Sequence, residues 1–283
     1  MRKLLYDAIS YVLEHGNAFN RLKLAHIMGK KRDYQPLVDN LLSMQNEDGG
    51  WPWQLEAGSP SGVSDTAKVL ELLAEVGLER TSSPIRKAAS YLLDLQNEDG
   101  GWSESRELEG MIPREWTWIS TKHSGYQTAD AVNALSQAGY KGDEVWRAID
   151  FLKASQNEEG GWHSHIGSDP NQVTDVATTD HILRALLRNG EPRESQTIKR
   201  AEEMLMGKIG ETDSPVNTAS VLCALKLLGY TGEDERFSQM VGWLVDHQRP
   251  DGGWNWFGEL PSNPSQTVDC LEQLADFVDM EPS

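Results

Sequence analysis

Gln45-Asn46-Glu47-Asp48-Gly49-Gly50-Trp51 occurs four times with small changes: unchanged from Gln96 to Trp102, with Glu159 for Asp from Gln156 to Trp162, and with Arg249-Pro250 from Gln248 to Trp254. The copies begin at residues 45, 96, 156 and 248, so successive starts lie 51, 60 and 92 residues apart. The last gap is close to two periods, which places a fifth, worn copy near Glu202. Self-similarity at this spacing is the mark of stacked repeats that share one continuous core. Paired glycines permit a sharp turn, Gln can cap free backbone groups at a helix end, and Trp can lie flat over the Gln amide and the neighbouring apolar surface. The heptapeptide therefore reads as a structural clamp, and its acidic residues as turn and surface positions.

Around each clamp the apolar pattern has helical period. Leu37, Leu41 and Leu42 precede the first copy; Ile85, Ala88, Ala89 and Leu92 the second; Val145, Ile149 and Leu152 the third; Met240, Val241 and Leu244 the fourth. A variable loop follows, then a second helix opened by a Thr at Thr66, Thr128, Thr178-Thr179, Thr218 and Thr267. Gly77, Gly139, Gly190 and Gly229 stop four of these second helices. The worn copy shows as Ala201-Glu202-Glu203-Met204-Leu205 followed by Gly207 to Asp213, and a sixth pair as Leu5 to Leu13 and Leu22 to Met28, turned at Gly16-Asn17. Six hairpins predict an all-α (α/α)6 double-ring barrel, one domain over residues 1–283, with the aliphatic-rich second helices inside.

Composition narrows the function classes. A net charge of −18 argues against nucleic acid or an anionic membrane as the main partner. No apolar stretch reaches the length of a membrane span or signal-peptide core, so a cytoplasmic protein is expected, with peripheral membrane contact and oligomeric state left open. Two cysteines, Cys223 and Cys270, imply no disulfide framework.

A helix ending in Gln, then acidic residues, Gly-Gly-Trp and a Thr-Ala helix start resembles the QW repeat of squalene-hopene and oxidosqualene cyclases, whose barrel is shared with protein prenyltransferase beta subunits. The densest match is Gly100-Gly101-Trp102-Ser103-Glu104-Ser105 with Ser120-Thr121 and Gln127-Thr128-Ala129-Asp130-Ala131, similar to GGWGE, ST and QTAWA. The resemblance implies a terpene cyclase or isoprenoid-binding enzyme. Family cyclases protonate an alkene or epoxide with the middle Asp of DxDDTA, and here Gly62-Val63-Ser64-Asp65-Thr66-Ala67 carries Ser64 at that position. Asp175-Val176-Ala177-Thr178-Thr179 carries Ala177 there. His123-Ser124-Gly125-Tyr126 is similar to the HGGY segment near the isoprenoid diphosphate in prenyltransferases. DDxxD is absent, and both cysteines fall inside helix bodies, so neither magnesium nor zinc is expected as a cofactor.

Second-helix starts in such a ring should converge on one end, the candidate site. Its carboxylates, Asp65 and Asp175, are the candidate acids, with His123 steadying an anionic head group. Tyr126, Gln127, Thr178, Asn217, Gln266 and His163, with Trp116 and Trp118 from the long loop 103–124, are the candidate binding residues for a small apolar or isoprenoid-like ligand. Each helix-start residue is also a competent cap. The alternatives are a non-catalytic ligand-binding or scaffold barrel, and a polysaccharide lyase or hydrolase on the same toroid, with Tyr126, His163 and Trp116 carrying the work.

Overall fold

The computed structural model describes residues 2–112, 124–164, 174–211, 214–256 and 260–277. Among them are twelve α-helices in six consecutive pairs. These are α1 (Arg2–His15) and α2 (Ala18–Ile27), α3 (Tyr34–Ser43) and α4 (Val63–Glu75), α5 (Ser83–Asp94) and α6 (Gly125–Gln137), α7 (Asp143–Ala154) and α8 (Val176–Arg188), α9 (Gln196–Gly207) and α10 (Pro215–Leu227), and α11 (Glu235–Asp246) and α12 (Pro264–Leu274). The worn repeat is α9 and α10, and the N-terminal pair is turned by Asn17, whose side chain accepts from Asn20 N in a capping box. The helices cluster into two compact units, Leu41–Ala201 and Met1–Asn40 with Glu202–Ser283.

Within each pair the two helices bury different amounts of surface. α5 and α7 each bury one stripe, Ile85, Ala88, Tyr91 and Leu92 in the first and Val145, Ala148, Ile149 and Leu152 in the second. That spacing is one face of a 3.6-residue helix, each large side chain contributing roughly 1.5–3 kcal/mol. α6 is instead buried from Gln127 through Leu135 without a break. In the unit Leu41–Ala201, α4 packs on α6 and α6 on α8; in the other unit, α10 packs on α12 and α12 on α2.

The clamp explains how the pairs are held. Trp102 Nε1–H donates to Leu92 O (2.7 Å), a last-turn carbonyl of α5 that also accepts from the C-cap Leu95 N–H (3.2 Å). Trp51, Trp162 and Trp254 donate likewise to Leu41 O, Leu152 O and Leu244 O, and all four rings are at most 1% exposed. The backbone of the same Trp is tied to the following helix: Trp102 N–H donates to Thr128 Oγ1 (2.8 Å), and Ser124 N–H donates to Trp102 O (3.0 Å). Gln96 Nε2 donates to Gly100 O in its own turn and to Glu144 O in α7, so this clamp also grips the next repeat. Gln45 and Gln156 do the same with Pro84 O and Thr197 O. The turn requires glycine at its first Gly: Gly49 has φ +92°, and a Cβ there would lie 2.6 Å from Lys87 O.

The Thr expected to open each second helix sits one turn inside it. The N-caps are Gly62, Ser124, Asp175, Ser214 and Asn263, and the Thr hydroxyl receives the Trp N–H at Thr66, Thr128, Thr179 and Thr267. Thr128→Val keeps the shape of the side chain but leaves a buried Trp102 N–H unpaired. It is expected to lower stability by about 1–3 kcal/mol in chemical denaturation, whereas an exposed Thr→Val control is close to neutral.

Candidate functional site

α4, α6 and α8 run parallel, because contacts between them advance together along each chain segment. Gly125 lies against Thr178, Tyr126 against His181, and Asn133 against Arg188, which also bonds Glu71 of α4. Their N-termini therefore share one end of this unit. Helix N-termini present unpaired N–H groups and the positive end of the backbone dipole, and a cluster of polar side chains gathers there and one turn inside.

Asp65 lies in the first turn of α4, with Oδ2 accepting from Gln54 N–H at 3.1 Å. Gln54 and the following Leu55 both hold left-handed backbone (φ 55° and 56°), an uncommon conformation for such residues, and Asp65 is the side chain that ties this turn down. Burial pushes the Asp65 carboxyl above its ordinary range; Lys68 and the Gln54 N–H oppose the rise, and Asp130 reinforces it. Lys68 Nζ sits 5.3 Å from the centroid of the Tyr126 ring, and that ring stands 4.5 Å from the ring of His181. His181 Nδ1 lies 2.5 Å from Asp130 Oδ1, and His181 O accepts from Asn133 Nδ2. Five residues from three helices thus form one connected polar group against an aromatic plate.

A second carboxyl reaches the same place from the clamp loop of the next repeat. Glu104, 4% exposed, accepts from Val63 N–H and Ser64 N–H at the free end of α4, and from Ser105 N–H. A Cβ on Gly62 would lie 2.8 Å from Asp65 Oδ2 and 3.6 Å from Glu104 Oε1, with Trp53 Cδ1 3.4 Å away, so both carboxyls and an indole flank one point. Burial lifts Glu104 to about 7; the three N–H donors hold it down and the charge of Asp65 lifts it further. Sequence reasoning quoted Glu104 within a motif and assigned it nothing. The available signal was an acidic residue two positions after a clamp Trp, next to a loop rather than on a helix face.

Of the expected site residues, Asp65 and Tyr126 join this group. Gln127 and Thr178 are buried at the same helix ends, where Gln127 Oε1, Thr178 Oγ1 and Ser64 Oγ have no hydrogen-bond partner among the described residues. Asp175 caps α8, its Oδ1 accepting from Thr178 N–H at 2.6 Å. The carboxylate that acts on Asp65 is instead Asp130, and Asp65 in turn acts on Glu104. His163 stands beside Asn157 at the third clamp, and the backbone oxygen of His163 lies against Gly125. Asn217 and Gln266 belong to the other unit: Asn217 N–H donates to the cap Ser214, and Gln266 Oε1 accepts from Trp256 N–H. His123, Trp116 and Trp118 lie outside the described residues. Asp130, His181, Lys68 and Glu104, all described here, are not among the residues that the sequence singled out as catalytic or binding. No group of three or more metal-ligating side chains occurs among the described residues, and Cys270 is fully buried with its thiol pushed up by burial.

The raised Glu104 value has a consequence for stability. Folding favours its protonated form, so the contribution is complete below the ordinary Glu value and is lost as pH rises through about 7. With one unit worth about 1.4 kcal/mol, the loss between pH 4 and pH 8 is about 3 kcal/mol from this group. Denaturation midpoints should fall over that window in the wild type, and Glu104→Gln should flatten that part of the profile.

The family profile described as the squalene-hopene cyclase C-terminal domain matches residues 61–171, the stretch that holds Asp65, Glu104 and Asp130. A drimenyl diphosphate synthase from Streptomyces showdoensis is 25% identical over 233 residues, 77% of this chain and 40% of the relative. The squalene-hopene cyclase of Alicyclobacillus acidocaldarius is 26% identical over 241 residues, 73% of this chain and 37% of the relative. The chain thus spans about two fifths of the length of these curated relatives. The solved structure of the type II terpene cyclase MstE from Scytonema superposes with a TM-score of 0.68 at 16% identity, covering 98% of this chain and 99% of that one. That likeness shows the fold, an all-α arrangement of helical hairpins of the α/α-barrel class, as the repeats implied. Sequence, repeat and fold are all similar to those of the terpenoid cyclase superfamily.

Proposed function

We propose that this chain binds a linear isoprenoid at the shared N-terminal end of α4, α6 and α8 and cyclises it by proton transfer from Asp65. The observation that carries the proposal is the state of that carboxyl. It is half-buried, its proton is favoured by desolvation, and it lies beside Lys68 in the first turn of a helix. An alkene is a weak base, so its activation needs a carboxylic acid that still holds its proton at working pH. Once the proton has gone, Lys68, the Gln54 N–H and the positive end of α4 stabilise the carboxylate left behind. Glu104, with its own value near 7, keeps a second proton-bearing group against the same point. The aromatic faces of Trp53 and Tyr126 are suited to cationic carbon.

This places the acid one residue after the family position, where Ser64 stands. Ser64 Oγ, Gln127 Oε1 and Thr178 Oγ1 are buried hydrogen-bonding atoms with no partner among the described residues, and a polar head group of the ligand would meet them. The relatives' names refer to drimenyl diphosphate and squalene, and the MstE structures include a complex with geranylgeranyl dihydroxybenzoate described as substrate; these set the first probes. One observation favours the rival reading of a ligand-binding barrel without turnover: Asp65 Oδ2 already anchors the left-handed turn at Gln54.

Asp65→Asn preserves that anchor, because the amide oxygen can still accept from Gln54 N–H, and removes only the transferable proton. With squalene and with farnesyl and geranylgeranyl diphosphates, conversion should fall by about 10²- to 10⁴-fold in this variant while substrate binding is retained. Equal conversion by wild type and Asp65→Asn would exclude Asp65 as the acid. Binding without conversion by either protein would favour the non-catalytic barrel.

A further inference from the structure

Asp130 and His181 come from different repeats, 51 residues apart, and meet across the packed helices α6 and α8. Asp130 is almost wholly buried, whereas His181 keeps about a fifth of its side chain exposed. A carboxylate facing Nδ1 fixes the imidazole as the tautomer that donates from Nδ1 and leaves the Nε2 lone pair free to accept a proton. A second bond, from Asn133 Nδ2 to His181 O, and the packed Tyr126 ring hold the residue from other sides. The pair belongs to the same electrostatic group as the acid, since the charge of Asp130 acts on Asp65.

We propose that His181 is the base that ends the reaction, with Asp130 as its positioning residue. The proposal rests on the cyclase reading above. The Asp65 O–H bond breaks as its proton adds to an alkene carbon of the substrate, and successive alkene electron pairs close the ring bonds, leaving a carbocation. His181 Nε2 then takes a proton from the carbon next to that cation. The electron pair of the broken C–H bond becomes the new C=C, and the Asp130 carboxylate stabilises the imidazolium through Nδ1–H. One proton enters the hydrocarbon and one leaves, so substrate and product are isomers. Solvent then takes the proton from His181 and returns one to Asp65, so no oxidant, metal or further reactant is consumed.

The distinguishing result is the identity of the product rather than the rate. Without a base, the final cation is captured by water and gives an alcohol. The 283-residue chain is incubated with squalene or with farnesyl diphosphate, and products are separated by gas chromatography with mass detection after removal of any phosphate. Wild type should give an alkene. His181→Ala should still consume substrate within about tenfold of wild type but invert the alkene-to-alcohol ratio by tenfold or more. Asp130→Ala should follow it, and Asp130→Asn, which can still accept from Nδ1–H, should lie between. Asp65→Asn, by contrast, should cut consumption itself by about 10²- to 10⁴-fold. An unchanged product ratio in His181→Ala overturns the assignment of His181 and leaves the cyclase reading standing; no conversion by wild type overturns both. A nitrogen-15 spectrum checks the pair without turnover and covers the case in which His181→Ala does not fold. His181 should be the Nδ1–H tautomer in wild type and lose that preference in Asp130→Ala, whereas an Nε2–H tautomer in wild type contradicts the proposal.

Discussion

The structure depends on one recurring bond set, the tryptophan at the end of each clamp. Its indole N–H satisfies a last-turn carbonyl of the helix before it, while its backbone N–H is taken by a Thr hydroxyl in the helix after it. In the second, third and fourth copies its carbonyl also accepts from the N-cap residue of that following helix. A single buried residue thus joins the two helices of a repeat at a defined point. The intervening loop leaves and returns at that point whatever its length. Loops of different length can therefore be accommodated without moving the helix starts.

That constraint accounts for where the polar side chains gather. Because the helix after each clamp begins at a fixed place, the starts of α4, α6 and α8 are held side by side, and residues far apart in sequence become neighbours. Glu104 illustrates the effect. It lies two residues beyond the second clamp Trp, so the clamp of one repeat delivers a carboxyl to the open helix end of the repeat before it. Buried polar groups in this number are costly unless partnered, and the charges here compensate one another only in part: Asp130 meets His181, Lys68 acts on Asp65, and Ser64, Gln127 and Thr178 each keep an atom with no partner among the described residues. A stability-driven interior would have been apolar at these positions, as α10 largely is.

The fold was legible because its determinants are local and repeated: a turn that needs glycine, a ring that needs a partner on each side, and helical stripes before and after. The candidate site was legible at Asp65 and Tyr126, which follow from being near a helix start. The choice of Asp175 was less informative, since a carboxylate one residue before a helix caps it, and capping is what its oxygen does. Glu104, Asp130 and His181 were not legible as a site. Their roles depend on which repeat packs on which and on the facing of α6 toward α8, and neither is encoded in the spacing around each residue. The Thr of each second helix was recognised only as a helix opener: at Thr66, Thr128, Thr179 and Thr267 it accepts the clamp Trp N–H, and at Thr128, Thr179 and Thr267 it also donates to the cap carbonyl of its own helix.

The central claim is that Asp65 starts the reaction by giving its proton to carbon. In deuterium oxide the carboxyl exchanges its proton for a deuteron before each turnover. Product formed there from an unlabelled isoprenoid should carry one deuterium per molecule, on the carbon protonated first, and Asp65→Asn should form no such product. Product without deuterium, or one-deuterium product formed equally well by Asp65→Asn, would contradict the account.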